Sequence, residues 1–201
     1  MQSTVDLFNT ALARLGGDQL IQLTSAQEQT KIGRICRNLF SHVLEMTLAS
    51  AAWAFAIRRK LLSSPTMDSD TMTNPTYRFV FELPTDCVKP IRLEGSAGIN
   101  RTPEYVIEGR TIRSSIDRAV FVYVSRITDP TMWPPLFSDA LAWAMAGELA
   151  AAINNDTQKQ QWCYQNHRIA LADGVSQDKT DQNPRRNESE FTAARFGGGD
   201  F

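Results

Sequence analysis

The sequence predicts a mixed α+β protein, mainly an α-helical bundle with an inserted small antiparallel β lobe and an extended C-terminal tail. Apolar residues recur every three or four positions near both ends of the chain, which is the helical period. In the middle they alternate with polar residues, which is the strand period. The predicted divisions are 1–56 for the first helices of the bundle, 57–128 for the β lobe, 129–174 for the last helices and 175–201 for the C-terminal arm.

The first predicted helix runs from Ser3 to Leu15. Ser3 or Thr4 can cap its start, because either hydroxyl can accept a hydrogen bond from an amide of the first turn that has no partner within the helix. Gly16 and Gly17 follow the last apolar residue, and glycine readily adopts the left-handed conformation that ends helices. The helix is therefore expected to end at Leu15.

The second predicted helix begins near Ser25, where Ser25 and Glu28 have the spacing of a capping box. Its apolar stripe continues to about Ser50. Trp53 then opens a segment in which aromatic residues alternate with alanine, and this alternation predicts an extended chain. We expect Trp53 to be buried where the helical part meets the β lobe.

Strands are predicted from the change of period after Met72. Residues 77–83, 88–93, 105–113 and 119–124 are rich in β-branched and aromatic residues. Pro90 indicates an edge strand or a bulge because proline has no amide to donate. Residues 105–113 have the pattern of a hairpin, with Gly109 in its turn.

Two further helices are predicted after the β lobe. The one beginning at Leu136 is rich in alanine and apolar almost all round, which predicts a position in the core or at an interface. Its apolar stretch from Ala140 to Ile153 is too short to cross a bilayer. The last helix is expected to run to about Ala172, with Gly174 ending it.

Composition narrows the possible functions. Lys and Arg total 21 and Asp and Glu total 22 among 201 residues, so the net charge of −1 provides no strong basic field for wrapping nucleic acid. Cys36, Cys87 and Cys163 are odd in number and have no metal-binding spacing, which favours small apolar fillers in a reducing compartment. The N-terminus has no signal-peptide pattern, so synthesis and folding in a cytoplasm are expected.

Residues with catalytic or metal-binding chemistry are few. The only histidines, His42 and His167, lie in predicted helices without a second ligand at metal-binding spacing. Asp68 and Asp70 fit a solvated loop better than a magnesium site, because no third acid lies in a convincing strand. We therefore expect no enzyme activity, no catalytic or metal-binding residue and no cofactor.

Two segments remain as candidates for contacts with partners. The run Arg58, Arg59 and Lys60 is compatible with DNA phosphates, with an intersubunit contact or with a solvated strand end. The polar segment 175–201 carries aromatic residues and arginines, which favours a segment that orders on a partner over a frayed tail. The candidate portal-binding residues there are Arg185, Arg186, Phe191, Arg195, Phe196 and Phe201.

The order of several short motifs is also informative. They are Leu15-Gly16-Gly17, Trp53-Ala54-Phe55-Ala56 with Arg58-Arg59 after it, Leu83-Pro84-x-Asp86, and Trp133-Pro134-Pro135-Leu136-Phe137. Over residues 5–155 this ordered set resembles the tail tubular A, or adaptor (head-to-tail connector), proteins of podophages.

The resemblance implies a structural virion protein of the tail or neck, assembled in the host cytoplasm. It implies a ring of about twelve copies that joins the dodecameric portal to the tail nozzle protein, forms part of the DNA ejection channel and has the tail fibre protein as a further neighbour. It also implies that the C-terminal arm reaches the portal; the assignment to the six residues above is our inference from composition. The alternatives are a DNA-binding packaging or head-completion accessory protein and, third, a tail-associated hydrolase or nuclease.

Overall fold

Helix α1 (Thr4–Leu15) confirms the first prediction at both ends. The structure is a computed structural model that describes residues 3–16, 29–62, 66–67, 76–95 and 104–182. The Ser3 hydroxyl accepts a hydrogen bond from the Asp6 amide at 3.1 Å. The Asp6 carboxylate in turn accepts from the Ser3 amide at 3.1 Å, which completes a capping box. Gly16 then takes φ 60°, a backbone conformation that favours glycine.

Helix α2 (Lys31–Ser50) begins later than the sequence predicts. Gln29 and Thr30 are not helical, and the Thr30 hydroxyl accepts from the Gly33 amide at 3.1 Å. Thr30, and not Ser25, is therefore the cap of this helix. Ser25 and Glu28 lie outside the described residues, whereas the predicted end at Ser50 is confirmed.

The segment after Trp53 is a 3₁₀ turn (Ala54–Ala56), so the prediction of an extended chain there is wrong. The amides of Ala56 and Ile57 both donate to the Trp53 carbonyl oxygen, at 3.0 and 3.1 Å. These two bonds tighten the chain before it becomes extended at Ile57. The turn directs the chain from the helices into the first strand.

Seven strands in the described part of the chain form two antiparallel sheets, where the sequence pattern predicts a single small sheet. Their bounds are β1 (Ile57–Leu62), β2 (Thr66–Met67), β3 (Phe79–Glu82), β4 (Cys87–Gly95), β5 (Tyr105–Glu108), β6 (Thr111–Ser114) and β7 (Ala119–Ser125). The orders are β1-β7-β4 and β2-β3-β6-β5. Phe121 and Leu93 of the first sheet pack with Phe81 and Ile112 of the second in a core of their own.

Details of the sheets confirm two predictions about special residues. Strand β4 is an edge strand, and its pairing with β7 shifts register between Pro90 and Arg92, so the proline marks both an edge and an irregularity. The β5–β6 hairpin turns at Gly109, which takes φ 59°. Residues 119–124, which have the strongest strand pattern in the sequence, lie in β7, which is central in its sheet, and Phe121, Val122 and Val124 are fully buried.

Helix α3 (Pro135–Leu149) is the central helix, as its apolar composition predicts. It packs against α1, α2 and α4, and Ala140, Ala142 and Ala146 are fully buried. A π turn (Ala150–Asn154) follows, and Asn155 takes the left-handed conformation with φ 50°. The Asp156 carboxylate accepts from the Lys159 amide at 2.9 Å and so caps the next helix.

One helical segment among the described residues, Pro135–Ile153, is long and apolar enough to cross a membrane by length and composition. The sequence analysis counts the apolar stretch only from Ala140, and that stretch is too short to cross a bilayer; counted from Pro135, the helical segment is long enough. This window is 61% buried within the protein. The core helix of a soluble protein passes the same test, so the feature is not specific for a membrane span.

Helix α4 (Thr157–Gln182) continues through Gly174, so the predicted helix end there is wrong. A Cβ atom built on Gly174 would lie 3.2 Å from Cη2 of Trp53 and 3.5 Å from Cβ of Leu136. The glycine therefore allows close packing and does not cap the helix. Residues 175–182 accordingly belong to α4 rather than to an extended arm, and the six candidate portal-binding residues lie outside the described residues.

Candidate functional site

An aromatic cluster joins the turn before β1 to the start of α3. The ring of Phe137 lies 5.1 Å from that of Trp53, 4.8 Å from that of Phe55 and 6.0 Å from that of Trp133, centroid to centroid. Trp53 is 2% exposed, and its indole N–H donates to the Thr47 carbonyl oxygen at 3.0 Å. The prediction that Trp53 is buried is confirmed. Its neighbours come chiefly from helices and the 3₁₀ turn.

Asp86 links the motif after β3 to strand β7. Its carboxylate accepts from the Tyr123 hydroxyl at 3.0 Å, and its carbonyl oxygen accepts from the Arg126 amide at 2.8 Å. Burial, together with the hydrogen bond to Asp86, raises the pKa of Tyr123 to about 12. The motif residue thus acts as a structural tie between two strands.

The basic run lies on β1, an edge strand of its sheet. Arg58, Arg59, Lys60 and Leu61 are all exposed, although a strand on a core normally buries alternate residues. Arg58 pairs with Tyr123 and Lys60 with Phe121 across the ladder, so these two cations project on the same side of the sheet. Arg59 projects on the other side, 3.9 Å from the Glu94 carboxylate. Among the described residues, Arg58 and Lys60 form no ion pair.

A groove of about 390 Å³ lies between α2 and α4, over α3. We call it the α2–α4 groove. Its lining includes His42, Met46, Ala144, Glu148, Tyr164 and His167. Both histidines of the chain therefore lie at one site, where sequence analysis found no link between them. No linear spacing signals this site, because its lining comes from three separate helices.

Polar contacts fix the shape of the α2–α4 groove. The Tyr164 hydroxyl donates to the Glu148 carboxylate at 2.5 Å, and Nδ1 of His167 lies 2.8 Å from the Ala140 carbonyl oxygen. Glu148 is half-buried and forms no ion pair with any lysine or arginine in the described part of the chain. Met46, at the rim, is 63% exposed. The groove thus combines an uncompensated carboxylate with an apolar, aromatic lining.

Tyrosine ionisation should show whether Tyr164 is held as described. Burial, then the hydrogen bond to Glu148, raises its pKa to about 12, as at Tyr123. Tyrosines of an unfolded chain ionise at about pH 10, whereas these two hydroxyls stay protonated above that pH in the folded protein. Their contribution to stability is fully present below that pH and is lost as the pH rises to about 12.

The measurement is absorbance at the tyrosinate band during a titration of the folded protein. Tyr164→Phe should remove half of the late-titrating component, leaving the part due to Tyr123. Tyr77→Phe serves as a control, since Tyr77 lies outside the groove. An unchanged late component in Tyr164→Phe would show that the hydroxyl is not shielded beside Glu148.

No cluster of three or more metal-ligating side chains occurs among the described residues. Asp68 and Asp70 lie outside them. Cys36, Cys87 and Cys163 are free thiols, and burial raises the pKa of Cys36 to about 11, which keeps it protonated. The cysteines therefore fit small apolar fillers better than reactive groups.

Comparisons with known proteins give no match: no protein-family model matches the chain, and no curated protein does so either.

Proposed function

We propose that this chain is a structural virion protein of a short-tailed phage, an adaptor that forms a ring between the portal and the tail nozzle. In this role it is not an enzyme, and it forms part of the channel through which DNA leaves the head. The proposal rests on the motif order that resembles podophage adaptors and on what those motifs do in the fold.

The observation that carries the proposal is the packing of the motif residues on one another. Trp53 and Phe55 come from one motif and Trp133 and Phe137 from another, and their rings form a single cluster. Residues that fix the same junction are the ones a shared fold would retain, because changes in a packed core are costly. The joint structural role of the two motifs supports the proposed resemblance.

The architecture is compatible with an adaptor in its finer details. We interpret α3 and the three helices that pack on it in the described part of the chain, α1, α2 and α4, as one bundle, and the strands between α2 and α3 as a lobe inserted into it. Segment 183–201 follows α4 directly, and we propose it as the portal-binding arm, through Arg185, Arg186, Phe191, Arg195, Phe196 and Phe201. Aromatic and arginine side chains are the types that most often anchor protein interfaces.

The second candidate function is a DNA-binding packaging or head-completion accessory protein. The observation in its favour is the exposed run Arg58, Arg59 and Lys60 on β1. A single run supplies few phosphate contacts, and the net charge of −1 adds no attraction over the rest of the surface. This candidate therefore ranks below the adaptor.

Mixing the full chain with its portal protein, and separately with duplex DNA, distinguishes the two functions. The adaptor is expected to bind the portal as a ring of about twelve copies and to bind DNA only at low salt. A protein that ignores the portal and binds DNA with a steep salt dependence would favour the accessory function.

A further inference from the structure

We propose that neighbouring copies of this chain join through Arg58 and Lys60 of one copy, which enter the α2–α4 groove of the next and face Glu148 there. The inference rests on the proposed ring and names its contact. The contact is heterologous, since the strand and the groove are different surfaces of the same chain. Such contacts generate rings when the rotation between copies closes.

The groove has the chemistry to accept a cationic side chain with an aliphatic stem. Glu148 is half-buried at its wall and has no ion pair in the described part of the chain, while the Tyr164 hydroxyl holds its carboxylate in place. Met46 and Ala144 supply an apolar lining for methylene groups. A volume of about 390 Å³ has room for one or two long side chains.

Strand β1 presents cations suited to that site. Arg58 and Lys60 stand two positions apart on one face, so they are separated by about 7 Å along the strand. Both are exposed and without an ion pair among the described residues, whereas Arg59 on the opposite face is near Glu94. Leu61 is 51% exposed but projects with Arg59 on the opposite face, so it lies outside the proposed contact. An adjoining copy would pair the two cations with the Glu148 carboxylate.

Charge-changing variants test the contact by analytical ultracentrifugation of the full chain. Arg58→Glu with Lys60→Glu, and separately Glu148→Lys, should each weaken self-association at least about tenfold. Combining all three changes in one chain should restore much of it, because the charges are then exchanged. Asp173→Lys is a control with the same charge change as Glu148→Lys, and Arg59→Glu reverses one cation on the opposite face of β1; both positions are exposed and off the contact, and both variants should associate like the unaltered chain.

A mixing experiment tests whether the contact is heterologous. Glu148→Gln removes the negative charge of the groove but keeps an oxygen that accepts from the Tyr164 hydroxyl. It also serves in the ultracentrifugation experiment if Glu148→Lys does not fold. A chain with this change still has an intact strand, and a chain with Arg58→Glu and Lys60→Glu still has an intact groove. Their mixture should form one-to-one dimers that do not grow, because each dimer retains only an impaired strand and an impaired groove.

Two results overturn the inference. The first is that the charge-changing variants associate as tightly as the unaltered chain. Rings would then form through another contact, and the adaptor proposal would stand. The other is an unaltered chain that stays monomeric up to about 1 mM, the limit of weak association. In that case, binding to the portal still tests the adaptor proposal independently.

Discussion

Trp53→Ala is expected to lower the free energy of unfolding by about 3–5 kcal/mol, the cost typical of removing a large buried aromatic side chain. Three features make relaxation around the lost ring difficult. The indole contacts the ring of Phe137, its N–H donates to the Thr47 carbonyl oxygen, and Gly174 of α4 lies against its far edge. Replacing the indole by a methyl group therefore leaves a cavity bounded in part by the backbone of α4 and removes one of the hydrogen bonds to the Thr47 carbonyl oxygen.

Urea titration of the purified variant measures this loss. Trp162→Ala is the matched control, since Trp162 is 47% exposed and packs only partly, edge to face, on Trp143. We expect its cost to stay near about 1 kcal/mol. If the two variants lost equal stability, Trp53 would not hold the junction between the helices and the first strand.

Ending the chain after Gly174 is expected to destabilise the fold by about 2–3 kcal/mol, whereas ending it after Gln182 should cost less than about 0.5 kcal/mol. The shorter chain loses Val175, which packs against the core, and Asp178, whose carboxylate accepts from the Ala54 amide at 3.1 Å. That hydrogen bond lies near the surface, so we assign it only about 1 kcal/mol.

Thermal and urea unfolding of the two truncated chains make the comparison. The sequence alone predicts that removing everything after Gly174 leaves the fold intact; the course of α4 leads us to revise that expectation. Equal stability of the two truncations would mean that the last turns of α4 contribute nothing to the fold. The chain ending at Gln182 lacks only the proposed arm, so it should fold normally yet bind the portal more weakly.

Local signals were sufficient where a residue's role depends on its immediate neighbours. Ser3 with Asp6 and Gly16 define α1 at both ends, and the apolar composition of α3 predicts its central position. Strand β7 and the hairpin at Gly109 follow from alternation and turn chemistry in the same way. For α1 and the hairpin, the bonds that decide the structure lie within a few residues, whereas the central place of β7 also needs its distant partners β1 and β4.

The 3₁₀ turn after Trp53 and the start of α2 are misjudged although the bonds there are local, whereas three other features depend on residues far apart in sequence. Gly174 has the typical identity of a helix-ending residue, but contact with Trp53 gives it a packing role that no local pattern reveals. The division of the strands into two sheets follows from pairing across the chain, with β1 and β4 both on β7. Likewise the α2–α4 groove brings together His42, Glu148 and His167, which lie on three helices.

The most direct test of the adaptor proposal is the mass of the protein by light scattering, alone and after mixing with its portal protein. We expect the chain to join the portal as a closed ring, adding about twelve times the protomer mass of 22.5 kDa. A protomer that is monomeric alone would mean that the portal templates the ring. A chain that adds no mass to the portal at any ratio would contradict the adaptor function.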